Sequence, residues 1–131
     1  MKNIKLKFWL GHSEKMLGEY TLKECLSLNW DLTDDVIPLQ FTGVLDKNGK
    51  EIYEGDILTC NEYPFLDDDL PNYHAVIEWV FTSWQIVLVC VNKNKRGVSD
   101  GVNESFEYEE GQKCEYEVIG NIYENPELLE K

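Results

Sequence analysis

Carboxylates are the side chains that most invite a chemical interpretation, and four of them lie in the segment FTGVLDKNGKEIYEGDIL, residues 41–58. Asp46, Asn48 and Lys50 have the spacing of a calcium-binding loop, but Lys50 stands where a ligand should be. A hairpin turn is therefore the favoured interpretation. The run Asp67-Asp68-Asp69 could hold a divalent ion weakly, although adjacent aspartates in a loop are usually only solvated.

Thiols and imidazoles are the other candidate ligands and nucleophiles. The cysteines are scattered, with no C-x-x-C pair, so in a cytosolic chain we expect reduced thiols. A zinc site would require the fold to gather them, since zinc sites usually show a closely spaced ligand pair. Cys90 lies in the apolar run IVLVCV and is expected to be a small buried hydrophobe. The whole set is Cys25, Cys60, Cys90, Cys114, His12 and His74.

Catalytic motifs are missing from the sequence. General acid–base catalysis needs paired carboxylates in a dry cleft, tuned by a neighbouring charge. With 25 Asp and Glu, some pair will lie close by chance, and nothing places either histidine beside a nucleophile. Nucleophile-elbow, phosphate-loop and zinc-protease patterns do not occur. The sequence therefore predicts no enzyme, no catalytic residue, no metal and no cofactor.

The charge balance limits the partners. A net charge of −13 argues against a nonspecific nucleic-acid binder and against anionic membranes, because both attract Lys and Arg. Lys93, Lys95 and Arg96 form the one basic cluster; they could touch a phosphate, but a solvated loop is favoured. We expect no direct nucleic-acid binding and no membrane binding.

The beginning of the chain predicts its compartment. MKNIKLKFWLG interleaves charged and apolar residues and lacks the unbroken apolar core of a signal peptide. The longest apolar run, Ile86–Val91, is far shorter than the ~20 residues of a spanning helix. We therefore expect a cytoplasmic protein.

Turn residues and short apolar runs predict a mostly β chain with minor α, organised as a small barrel. We expect one domain, residues 1–131: a strand and helix portion over 1–35, then a barrel portion over 36–131 with a variable loop at 61–74. The capping box of Thr21 and Glu24 predicts a helix over 22–29. The other predicted elements are strands at Ile4–Leu10, Met16–Tyr20, Val36–Val44, Ile57–Cys60, Ala75–Val80, Trp84–Val91 and Cys114–Tyr123, weak pairing at Phe106–Glu110, and a helix at Glu127–Glu130.

Some strands carry finer expectations. Trp84–Val91 is nearly all apolar, which predicts burial on both faces. Pro38 removes a backbone donor and predicts an edge or bulge, so Val36–Phe41 is expected to be a barrel edge that needs covering. A homo-oligomer that pairs along this edge is one of the alternatives that the sequence allows. Gly120 indicates a bulge or bend in the last strand.

Two long stretches resemble the YopX-like family of small phage and prophage proteins. Gln40–Leu58 follows the family pattern QYTGLKDKNGKEIYEGDIV closely, and Glu117–Leu129 reproduces EVIGNIYENPELL. The start, KLKFWLGHSEKML, keeps the Lys, Phe, Trp and Met of the family but lacks its Arg and its Asp after Trp9. The resemblance implies an SH3-like barrel and a phage origin, without an activity or catalytic residues. The residues that carry it are Gly43, Asp46, Asn48, Gly49, Tyr53, Gly55, Asp56, Gly120, Asn121, Tyr123, Asn125 and Pro126.

Both motifs are interpreted as structural or interaction elements rather than as active sites. Asn48-Gly49 sets a hairpin, and Gly55-Asp56 opens the next strand. Asn125 is expected to cap the last helix, whose Leu128 and Leu129 would plug the open end of the barrel.

The predicted function is a phage or prophage accessory protein that binds a host or phage protein without catalysis, through acidic, aromatic-rich loops at residues 60–75 and 100–117. Two alternatives stay open. One is a metal-dependent enzyme acting on nucleotides or nucleic acid. The other is an acidic mimic of DNA that inhibits a host factor.

Overall fold

The computed structural model describes residues 4–25, 27, 35–62, 64–67, 70–92 and 102–130. Within them the chain forms eleven strands, one turn of α-helix and one 3-10 turn. The strands are β1 Lys5–Leu10, β2 Lys15–Thr21, β3 Val36–Leu45, β4 Glu51–Tyr53, β5 Asp56–Thr59, β6 Leu66–Asp67, β7 Leu70–Pro71, β8 Tyr73–Val80, β9 Ser83–Cys90, β10 Val102–Ser105 and β11 Glu117–Asn121; the α-helix, α1, is Leu22–Cys25, and the 3-10 turn is Pro126–Leu129.

Two antiparallel sheets organise these strands. The first has the order β2-β1-β3-β4 and the second the order β10-β9-β8-β5-β11, while β6 and β7 form a separate ribbon. One of the two main sheets is curled into a half-barrel. The predicted fold, mostly β with a small barrel and little helix, is confirmed.

The core lies on one face of the β8–β9 hairpin. Side chains alternate in a strand, and β9 follows that rule: Ile86, Leu88 and Cys90 are buried, whereas Val87 and Val89 are half-buried. The prediction that this strand is buried on both faces is therefore wrong. β9 has β8 and β10 on its two edges, which places it inside the sheet without covering its second face.

Strand β10 was missed, because it lies within residues 100–117, which were expected to be an acidic loop. It pairs with β9 from Val102↔Leu88 to Ser105↔Gln85 at the edge of its sheet. An exposed edge strand can be polar along its length, so it carries no apolar alternation to recognise. The weak strand predicted at Phe106–Glu110 is not formed, and the predicted loop at 61–74 contains the ribbon β6–β7.

The N-terminal helix starts as the sequence predicts. The Glu24 N–H donates to Thr21 Oγ1 at 3.3 Å, and the Thr21 N–H donates to Glu24 Oε1 at 3.2 Å, which completes the capping box. The helix is observed over Leu22–Cys25; residues 26, 28 and 29 of the predicted span lie outside the described residues.

The strand expected to be a barrel edge is partly covered within the chain. Residues Val36–Gln40 of β3 pair with β1 from Leu10↔Val36 to Leu6↔Gln40, and Pro38 lies opposite Phe8. One side of this strand is therefore occupied by the N-terminal hairpin.

The C-terminal turn differs from the predicted helix. It is a 3-10 turn over Pro126–Leu129, and the Asn125 side chain does not cap it. Asn125 Oδ1 instead accepts the Asn121 N–H at 3.2 Å, because a competing backbone donor lies within its reach. The last strand is shorter than predicted, Glu117–Asn121, and contains the bulge predicted at Gly120, where its register with β5 shifts.

Two clusters singled out in the sequence fall wholly or partly outside the described residues. The basic cluster Lys93, Lys95 and Arg96 lies outside the described residues, as do Asp68 and Asp69. Of the helices that the structure describes, none has the length and apolar character required to cross a membrane.

Candidate functional site: an aromatic groove at the β8–β9 hairpin

Two tryptophans continue the core-facing rows of β8 and β9 at the margin of the core. Ile77 pairs with Ile86 and both are fully buried, whereas in the next core-facing pair Trp84 is half-buried against the core and Trp79 is exposed. Trp79 is 46% exposed. The two indole rings meet edge to face, with centroids 5.0 Å apart and an angle of 71° between their planes. The hairpin therefore carries a pair of large aromatic rings that extends from the core, through Trp84, to the surface at Trp79.

The tip of this hairpin, Phe81-Thr82, carries a third aromatic side chain. Val80 pairs with Ser83, so the loop has only two residues. Phe81 has a φ of 57° and is 92% exposed. A positive φ at this loop position is normally taken by glycine, and a bulky residue there is strained. A strained, exposed phenylalanine without a packing role is the pattern of a binding residue.

Residues 106–112, here called the wall segment, close one side of the tryptophan pair. The Phe106 N–H donates to the Trp84 carbonyl at 3.1 Å. Phe106 is 3% exposed and its ring packs on Tyr108, with centroids 4.9 Å apart. The resulting cavity has a volume of about 440 Å³, and its lining includes Trp79, Trp84, Phe106, Tyr108, Glu107 and Glu109.

A smaller cavity of about 160 Å³ adjoins the first, because Trp84 and Tyr108 line both. It extends to Phe41 and Gly43 on β3 and to Glu110 on the wall segment. The Gly111 N–H donates to the Gly43 carbonyl at 2.6 Å, which fixes the wall segment to β3. We call the two cavities together the aromatic groove.

The rim of the aromatic groove is acidic. Residues 102–117 hold six glutamates and one lysine. Glu107, Glu109 and Glu110 line the groove and are exposed, and among the described lining residues there is no Lys, Arg or His. Burial, together with the Glu115 carboxylate, raises the pKa of Tyr108 to about 12, so its hydroxyl stays protonated and neutral. The groove thus combines aromatic walls with negative charge.

Comparison with known proteins assigns the chain to a family. The family described as YopX protein matches residues 6–130. The chain belongs to the YopX family. Among solved structures, protein EF1440 from Enterococcus faecalis superposes with a TM-score of 0.56 at 23% sequence identity, over 97% of this chain and 98% of that chain. At that identity the likeness shows a shared fold. No curated protein matches the sequence.

The first YopX motif is held together by the carboxylate of Asp46. Asp46 is 1% exposed and accepts the backbone N–H groups of Asn48 at 2.9 Å, Lys50 at 2.8 Å and Val118 at 3.1 Å. Burial disfavours the ionised form, but these three donors outweigh it and hold the pKa of Asp46 below its usual range. Asp46, Asn48 and Lys50, whose spacing resembles a calcium-binding loop, therefore form the predicted hairpin turn, in which Gly49 has a φ of 86°.

The two YopX motifs meet where β5 pairs with β11. Asp56 lies opposite Asn121, and the Gly55 carbonyl accepts the Ile122 N–H at 2.9 Å. A Cβ atom on Gly55 would lie 3.3 Å from the Tyr123 ring, and the φ of 84° disfavours a larger residue there.

Besides Asp46, the first motif has two further buried ionisable groups, Asp56 and Tyr53. Asp56 is 5% exposed and accepts the Tyr53 N–H at 2.8 Å. Burial raises the pKa of Asp56 to about 6 and, with the Glu51 charge, raises the pKa of Tyr53. The Tyr53 hydroxyl donates to Glu51 Oε1 at 3.4 Å.

The second YopX motif folds back on itself. Asn121 Oδ1 accepts the N–H groups of Tyr123 at 3.0 Å and Glu124 at 2.8 Å. A Cβ atom on Gly120 would lie 2.6 Å from Asn125 Oδ1, and Pro126 is exposed. Of the twelve motif residues, Gly43 lines the aromatic groove, and the others lie outside its lining.

The other candidate ligands remain apart. Cys60, Cys90 and Cys114 are buried free thiols, and Cys25 is half-buried. In the ranges that the structure describes, no three His, Cys, Asp or Glu side chains gather in a way that could hold a metal ion. His74 Nδ1 lies 2.6 Å from the Leu128 carbonyl, in contact with the C-terminal turn.

Sequence analysis missed Phe81 and the tryptophan pair, whereas the wall segment lies within residues 100–117, one of the loops expected to bind a partner. A signal was present, because Ile77-x-Trp79 and Trp84-x-Ile86 flank Phe81-Thr82 symmetrically. Alternation on both sides of a two-residue loop aligns the two tryptophans on one face. The alternation alone does not show at which residue of β8 and β9 the core ends.

Proposed function

We propose that this YopX-family protein is a non-catalytic module that docks another protein at the aromatic groove. The observation that carries the proposal is the hairpin tip, where Phe81 is 92% exposed above the edge-to-face pair of Trp79 and Trp84. Aromatic side chains are enriched at protein interfaces, and a few of them typically contribute most of the binding free energy. Phe81 would enter a pocket of the partner while the groove receives a partner segment.

Charge supports a protein over a nucleic acid as the occupant. The three glutamates of the groove and the net charge of −13 would repel phosphates on approach. We therefore propose a host or phage protein as the partner, encountered in the host cytoplasm, and place the protein among phage or prophage accessory proteins that act by binding.

Capture from the lysate of infected host cells tests this function, with a matched pair of variants. Phe81→Ser and Leu70→Ser each replace an exposed apolar residue, since Phe81 is 92% and Leu70 is 54% exposed, but Leu70 lies outside the groove lining. The expected result is a partner retained by the wild type and by Leu70→Ser and lost by Phe81→Ser. A partner captured equally by all three would show that binding lies elsewhere, and the docking function at this groove would be wrong.

A further inference from the structure

The aromatic groove offers two indole faces to a ligand. Because Trp79 and Trp84 meet at 71°, they form two walls of a corner rather than a closed stack. The face of an aromatic ring carries partial negative charge, and tryptophan attracts cations most strongly. Tyr108 extends the corner on the side of the wall segment.

Carboxylates lie on the open side of this corner. Glu107 and Glu109 line the same cavity as the two tryptophans and are exposed. Both carboxylates therefore place acidic groups beside the ring faces of the same cavity. A cation in the corner would meet ring faces and carboxylates together.

The protein already uses this type of contact elsewhere. Lys7 Nζ lies 4.4 Å from the centroid of Tyr53, and Lys5 Nζ lies 5.6 Å from the centroid of Phe41. Within the described part of the chain, neither of these internal cations is placed over Trp79 or Trp84. The tryptophan corner has the composition of a cation site without a lysine or arginine of the described chain filling it.

We propose that the segment docked in the aromatic groove is basic, with a lysine or arginine side chain lying in the cavity against Trp79 and Trp84 and forming an ion pair with Glu107 or Glu109. This inference rests on the proposed function, because it names the chemistry of the partner at the same groove. Lysine and arginine both carry a cationic head group on a flexible apolar stem. The stem can pack on the rings while the head group contacts the carboxylates.

Binding of defined peptides to the full-length protein tests the inference. The probes are a Gly/Ser peptide carrying arginines, the same peptide with lysines, and the same peptide with glutamines. The readout is the set of indole N–H resonances, assigned by single Trp→Phe variants. We expect saturable shifts of the Trp79 and Trp84 signals with the two cationic peptides and none with the glutamine peptide.

Salt and three variants sharpen the test. Affinity should fall as salt rises from about 0.01 M to about 1 M, because the Debye length shrinks from roughly 30 Å to 3 Å. Trp79→Leu keeps apolar bulk but removes a ring face, and should weaken binding about 5- to 30-fold, or ~1–2 kcal/mol. Glu107→Gln should weaken binding, whereas Glu124→Gln, an exposed glutamate outside the groove, should not.

Three results would overturn the inference. One is equal binding of the glutamine and arginine peptides, and another is unchanged affinity in Trp79→Leu with its melting temperature intact. The third is a response of Trp9 instead, since Trp9 and Tyr123 line a separate cavity with Glu14, Glu124 and Glu127. If a partner is lost on Phe81→Ser while cationic peptides fail to bind, the docking function stands and the cationic occupant is wrong.

Discussion

Asp46→Asn is the substitution that tests how the two YopX motifs hold the fold together. The buried carboxylate of Asp46 accepts two N–H bonds at Oδ1 from its own turn and one at Oδ2 from Val118, which lies 72 residues away in the sequence. An asparagine can still accept at Oδ1. Its amide group, however, would turn a donor towards the Val118 N–H and leave that partly buried donor without an acceptor.

The magnitude follows from the hydrogen bonds. A hydrogen bond to a charged group contributes about 1.5–3 kcal/mol, and a buried donor left unpaired costs about 1–3 kcal/mol. These effects overlap, so we expect the free energy of unfolding to fall by about 2–4 kcal/mol near neutral pH. With an unfolding entropy of roughly 2 cal/mol/K per residue, the melting temperature should fall by about 7–15 °C.

Urea unfolding as a function of pH gives the decisive comparison. The pKa of Asp46 is lowered from an ordinary value of 3.8, so the folded protein binds fewer protons on this group than the unfolded chain. Its stabilisation is fully present above the ordinary pKa and is lost as pH falls through the lowered one. The wild-type and Asp46→Asn curves should therefore converge in acid. A difference below about 0.5 kcal/mol near neutral pH, or one that pH does not change, would refute this reasoning.

Three further substitutions have defined outcomes. Asp56→Asn should raise the free energy of unfolding by up to about 3 kcal/mol above about pH 6, because burial raises the pKa of Asp56 from 3.8 to about 6 and the charged carboxylate costs stability above that pH. This advantage of the variant should disappear near pH 4. Urea unfolding that shows a less stable variant at high pH would contradict the prediction. Gly49→Val should lower stability by about 1 kcal/mol or more, since φ at Gly49 is 86°, and an unchanged melting temperature would show that the turn tolerates a side chain. Phe81→Gly should keep or raise the melting temperature while abolishing partner capture, because glycine accepts the φ of 57°; a large loss of stability would mean that Phe81 packs on the fold.

Interactions between residues close in the sequence made the turns and the fold class predictable. Asn48-Gly49 between two apolar runs specifies a hairpin, and the Thr21–Glu24 capping box specifies where a helix begins. Both signals act within a few residues, and both are present in the structure. The mostly β fold follows in the same way from short runs separated by turn residues.

Competing hydrogen-bond partners and the positions of elements in the sheets decided what the sequence did not predict. Asn125 was expected to cap a helix, but its side chain finds the Asn121 N–H instead. β10 is polar because it lies at an edge, so it shows no apolar pattern. The aromatic groove depends on where the barrel core stops along β8 and β9, and that point is set by the wall segment, whose position comes from its contact with Gly43.

Site-specific photo-crosslinking at position 81 tests the central claim most directly. A photoreactive phenylalanine analogue would be placed at Phe81 or at Leu70, both exposed in the folded chain, and irradiated in the cells that naturally produce the protein. If the hairpin tip docks a partner, position 81 should give a discrete protein adduct that position 70 does not, and Trp79→Ala should diminish it. An absent adduct at position 81, or the same adduct from both positions, would contradict docking at the aromatic groove.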